Sequence, residues 1–143
     1  MCDHHVELSK ILKDRCPPEE NGRLLLFAVR RVATGGLNDA HVANAFLSAF
    51  GLAYRRPLVL LRALMAELSR VSQRKILVAP TCCPRMTGAE GAMMTVISDA
   101  LDDPHAAHRL LCATLGVENC LGALSSAQAL GQAFADLGRP LRS

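Results

Sequence analysis

The chain has 143 residues, half of them hydrophobic and a fifth charged, with four Phe, one Tyr and no Trp. That length fits one domain with a real core, and the composition excludes a disordered chain and favours Leu/Ala/Val-rich helices over a sandwich of strands. The net charge is only +3, but residues 1–86 carry thirteen Lys/Arg against seven Asp/Glu, a net of +6, while residues 87–143 carry three against six, a net of −3; the halves therefore complement each other within one fold or dimer.

In chain order, residues 3–14 read as a short helix capped by Asp3, with Val6, Leu8, Ile11 and Leu12 apolar. The prolines of "CPPEENG" end it, because proline cannot continue a helix. A second helix runs from about Glu20 to Ala33, with Leu24, Leu25, Ala28, Val29 and Val32 on one arc and Arg23, Arg30 and Arg31 on the other side. "TGG" stops it. Asn38 caps a third helix, Asp39 to Phe50, whose polar stripe is His41, Asn44 and Ser48.

The clearest amphipathic segment starts near Pro57 and reaches about Gln73, with Leu60, Leu61, Leu64, Met65, Leu68 and Val71 on one half; this period marks a core helix. Lys75 to Val78 fits a helix tail or a short extended piece. Pro80 and Pro84 hold the next stretch out of the helical region. Thr87-Gly88-Ala89-Glu90 is a capping box opening a helix to about Leu101. Asp103-Pro104 opens another to Leu115, stopped by Gly116, and a last helix covers roughly Ser125 to Leu137. The fold class is all-α: a single-domain bundle of five or six helices with short loops over 22–143, preceded by an extension at 1–21.

Six cysteines stand at 2, 16, 82, 83, 112 and 120, and the polar start "MCDHHVELSKILKDRC" has no secretory apolar run. The thiols therefore read as reduced and the protein as cytoplasmic. The longest purely aliphatic-aromatic run, Leu24 to Val29, is far too short to span a bilayer.

The chemistry-bearing stretch is "TCCPRMT", Thr81–Thr87. A thiolate is stabilised by a nearby cation and by a helix N-terminus. Arg85 and the capping Thr87 would supply both to Cys83, which makes Cys82, Cys83, Arg85 and Thr87 a candidate thiol site. Adjacent cysteines lack the C-x-x-C spacing of redox motifs, however, and buried cysteine commonly acts as a small hydrophobe. Cys2, His4 and His5, with Cys82 and Cys83, form a candidate zinc or copper set; Asp3 and Cys16 lie beside it in sequence. His105 and His108, spaced i, i+3, share one helix face, and His41 stands alone.

Thirteen Arg against three Lys suits bidentate contacts to carboxylate or phosphate. Arg55, Arg56 and Arg62 are candidate contacts for an anion or a partner. The stretch around them reads superficially as helix, turn, helix, yet Pro57-Leu58-Val59-Leu60-Leu61 stands where base-reading side chains belong. That speaks against nucleic acid.

"RRPLVLLR" (Arg55–Arg62), "CCPRMT" (Cys82–Thr87) and "LGRPL" (Leu137–Leu141) resemble a domain-of-unknown-function family of small helical alphaproteobacterial proteins. The resemblance covers about Gly22 to Leu141 and leaves Met1–Asn21 aside. It implies a small cytosolic helical protein and carries no functional residues with it. The residues themselves read as a non-enzymatic protein-interaction module that pairs as a homodimer or with another protein, without a cofactor. The alternative is a thiol-redox or zinc- or copper-binding protein using Cys82 and Cys83.

Overall fold

The computed structural model describes residues 12–142, apart from the side chain of Lys13. Among these residues six helices carry the fold: α1 (Glu20–Gly35), α2 (Ala40–Phe50), α3 (Arg55–Val71), α4 (Gly88–Asp99), α5 (Pro104–Leu115) and α6 (Leu121–Asp136). A 3-10 turn at Gly51–Ala53 joins α2 to α3, and two short strands, β1 (Leu12–Arg15) and β2 (Arg85–Thr87), pair antiparallel. The all-α bundle read from the sequence is the architecture observed, with this small ribbon added.

Of the apolar half expected for α3, Leu61, Leu64 and Leu68 are nearly inaccessible while Leu60, Met65 and Val71 are partly buried, and Leu58 joins the core beside them. Helix α3 lies chiefly against α6 and α4 against α5. Helices α4 and α6 come close at Gly131 of α6, where an added Cβ would sit 2.8 Å from the Ile97 carbonyl oxygen of α4. Three of the four phenylalanines, Phe46, Phe50 and Phe134, meet edge to face with centroids 5.0–5.9 Å apart, the arrangement the ring quadrupoles favour. Arg139 of the "LGRPL" tail lies over Phe50 and donates from Nε to the Ala49 carbonyl at 3.0 Å.

Helix ends follow local chemistry. Thr87 and Glu90 form the predicted capping box. Asp103 caps α5, Pro104 opens it, and Gly116 closes it at φ 71°. Asp39, rather than Asn38, caps α2, its carboxylate accepting from the His41 and Val42 amides. Helix α6 starts four residues earlier than Ser125. Its cap, Cys120, gives no side-chain cap hydrogen bond, so the usual sequence signal for a start is missing there.

Two further expectations change. Leu12–Arg15, of which residues 12–14 belong to the helix expected over 3–14, is a strand paired with Arg85–Thr87; that partner lies some seventy residues on, and no local pattern announces it. The rest of that expected helix, with Cys2, Asp3, His4 and His5, lies outside the described residues. Arg30, assigned to the polar side of α1, is 2% exposed. Lys75–Val78 is neither helix nor strand. Among the described residues no helix is long and apolar enough to cross a membrane.

Candidate functional site

The "TCCPRMT" loop is held from three sides. Leu12–Arg15 pairs with Arg85–Thr87, and the Cys16 amide continues the pairing by donating to the Pro84 carbonyl at 3.0 Å. From the bundle, Arg30 spends its guanidinium on the loop and on Glu90: Nε and Nη2 donate to the Glu90 carboxylate at 2.7 and 3.1 Å, Nη1 to the Cys83 carbonyl at 2.9 Å, and Nη2 to the Arg85 carbonyl at 2.8 Å. Burial works against the Arg30 charge, but Glu90 outweighs it and holds the guanidinium above its usual range. Glu90 also accepts from the Ala79 and Thr87 amides at 3.0 and 2.9 Å. Each guanidinium nitrogen and each carboxylate oxygen thus has a partner, the condition under which a buried charge pair is tolerated.

This places the candidate thiol residues in contrasting surroundings. Cys82 is exposed, whereas Cys83 is 5% exposed and belongs to the core. Arg30 reaches Cys83 from the bundle and donates to its carbonyl. Thr87 is buried; its hydroxyl donates to the Leu77 carbonyl and accepts from the Glu90 amide. Cys16 donates to the Cys83 carbonyl at 3.3 Å, and burial raises its thiol above the usual range. A shallow cleft of about 250 Å³ lies between Cys16, Arg30 and Cys83.

The three arginines around α3 stand in different surroundings. Arg55 is exposed; Arg56 pairs with Asp136 of α6 at 2.9 Å on the surface; Arg62 is half-buried, with a buried Nε that has no partner among the described residues. His41 and His105 are exposed.

The convergent cluster lies elsewhere, where α5 turns into α6. His108 and Cys112 stand four residues apart on α5, which puts them on one face, and Gly116 turns the chain so that Cys120, the α6 cap, returns to them. The Sγ atoms of Cys112 and Cys120 are 3.2 Å apart, and the Cys112 Sγ lies 3.4 Å from His108 Nε2. The Cys120 amide donates to the same Nε2 at 3.2 Å. That bond requires an unprotonated Nε2, so the ring proton sits on Nδ1. One ligand atom from each of the three residues lies within 4.8 Å of the others.

Cys120 is 6% exposed, and Cys112 and His108 are half-buried. Burial, followed by its contact with Cys112, pushes the Cys120 thiol up to about 12. With Zn–S bonds of about 2.3 Å in tetrahedral geometry, two thiolates on one ion stand about 3.7 Å apart. The observed 3.2 Å needs only a small opening to match. Two sulfurs and an imidazole suit zinc or copper(I) rather than magnesium or calcium.

The sequence reading paired His108 with His105 at i, i+3; its neighbours are Cys112 at i, i+4 and, across the turn, Cys120. The signal present in the sequence was H-x3-C-x7-C spanning a helix stop. Neither a curated protein nor a solved structure matches the chain. One family model does match, over residues 3–139, and so takes in nearly all of the N-terminal stretch that the resemblance left aside. The chain belongs to that family, described as a family of unknown function (DUF6628).

Proposed function

We propose that this is a metal-binding protein that holds zinc or copper(I) between α5 and α6 through His108 Nε2, Cys112 Sγ and Cys120 Sγ. The observation that carries the reading is the approach of three ligand atoms, from two helices, to within 4.8 Å of one another. The thiol chemistry expected of Cys82 and Cys83 moves in this reading to a different cysteine pair. Metal binding displaces the two thiol protons and the Cys120 amide bond to Nε2. Three protein ligands leave a fourth position for water or for an atom from a partner. The test is cobalt(II) titration of reduced, chelator-free protein. Thiolate-to-cobalt charge-transfer bands saturating at one equivalent, absent in C112S and C120S and weakened in H108A, support the site. Bands that persist in both cysteine variants, or no bands at all, sink it.

A second observation favours self-association. At the corner between α2 and α3, Leu52 is 96% exposed, with Val59 at 58% and Leu47 at 43%, beside Arg55 and Arg56. Exposed apolar groups mark a contact surface where they form one contiguous patch. The occupant is a second copy of the chain, whose residues 87–143 carry the complementary net negative charge. Light scattering on the wild type and on Leu52→Asp decides the matter: a dimer that becomes monomeric in the variant supports it, and a monomeric wild type ends it.

A further inference from the structure

The two sulfurs of the His108–Cys112–Cys120 cluster stand between two chemistries. A shared metal draws them apart, to about 3.7 Å. A disulfide draws them together, to about 2.05 Å. Their separation without metal is 3.2 Å, so either state is reached by a small movement in opposite directions. The two states exclude each other, since a disulfide sulfur has no thiolate charge with which to hold the ion.

We infer that Cys112 and Cys120 are a thiol–disulfide exchange site for low-molecular-weight disulfides of the glutathione type, and that closing this bond expels the metal. The expulsion rests on the metal reading above; the exchange itself does not. Cys112 is half-buried whereas Cys120 is 6% exposed, so the small disulfide meets Cys112 first. The Cys112 sulfur attacks one sulfur of the oxidised glutathione. The S–S bond of the reagent breaks, a mixed disulfide forms at Cys112, and one glutathione leaves as thiol with the proton Cys112 lost. The Cys120 sulfur then attacks the Cys112 sulfur. The second glutathione leaves as thiol with the Cys120 proton, and the Cys112–Cys120 bond is closed. Two electrons have passed from the protein to the reagent.

The other described cysteines are arranged differently. Cys82 is exposed, its neighbour Cys83 is turned into the core, and the Cys16 thiol is directed at the Cys83 carbonyl. The reach from Cys112 to Cys120 is set by the α5 stop at Gly116 and the start of α6.

The experiment exposes the full chain, metal-free and zinc-loaded, to oxidised glutathione and follows intact mass, peptide linkage and zinc release to a chromogenic chelator. The metal-free protein is expected to lose two hydrogens through a Cys112–Cys120 link, and C120S to stop at a glutathione adduct on Cys112. Saturating zinc is expected to slow the link by more than about tenfold, with one zinc released per link formed. No Cys112–Cys120 link in the metal-free protein, or a link between Cys16 and Cys83 instead, overturns the exchange site and leaves the metal reading standing. A link that forms at the same rate with and without zinc overturns the expulsion and removes the metal reading, while the exchange site stands.

Discussion

Arg30 and Glu90, sixty positions apart, form a two-bond ion pair in which neither residue exceeds 2% exposure. The same pair fixes the "TCCPRMT" loop, because Arg30 also holds the Cys83 and Arg85 carbonyls and Glu90 the Ala79 and Thr87 amides. Removing one partner leaves the other charged, buried and unmatched. Glu90→Ala is expected to cost about 3–5 kcal/mol, read as a shift in the urea midpoint, and to speed alkylation of Cys83. Arg30→Lys is expected to be nearly as damaging, since one ammonium cannot span four acceptors set for a planar fork. A Glu90→Ala protein as stable as wild type would remove the pair from any structural role.

Gly131 tests the α4–α6 contact. Glycine to alanine inside a helix ordinarily gains about 1 kcal/mol. Here the new Cβ would sit 2.8 Å from the Ile97 carbonyl oxygen, part of a neighbouring backbone. Overpacking costs about 1–3 kcal/mol, so Gly131→Ala is expected to be net destabilising in thermal unfolding. A stabilised variant would mean that the two helices can part without loss.

Asp39 gives a pH dependence. The Arg31 guanidinium at 2.7 Å is the main cause holding its carboxyl below the usual range, helped by the Val42 and His41 amides. A depressed carboxyl contributes stability that is complete above its unfolded pKa and is lost as pH falls through the folded one. Asp39→Asn keeps a capping side chain but removes the charge. Its denaturation midpoint is expected below wild type at neutral pH, with the gap closing in acid. A gap that stays constant into acid would assign the effect to the cap alone.

Metal should stabilise the fold in proportion to its affinity. Zinc at a hundred times its dissociation constant adds about 2.7 kcal/mol, seen as a melting temperature that climbs with zinc concentration. The climb is expected to vanish in Cys112→Ser and to survive in Cys82→Ser. A climb unchanged in Cys112→Ser would locate the ion elsewhere.

The elements legible in the sequence were those whose signals are local. The α5 boundaries follow from Asp103-Pro104 and Gly116, the α4 start from the Thr87–Glu90 box, and the α3 core face from leucine spacing. The start of α6 was missed because a cysteine holds the cap position. Arg30 was misplaced because a charged residue at the edge of an apolar arc reads as solvent-facing until its partner is known. The cluster at the α5–α6 turn was half visible: His108 stood out, but against His105, since only the turn at Gly116 shows that Cys120 folds back on Cys112.

The sequence by itself determined the helical class, most helix ends and the apolar faces, because these depend on contacts within a few residues along the chain. Tertiary structure alone decided that Leu12–Arg15 is a strand, that Arg30 and Glu90 share a buried site, and that His108, Cys112 and Cys120 meet. Each of those facts depends on where a distant or reversed segment comes to rest, and that is set by how the whole core packs.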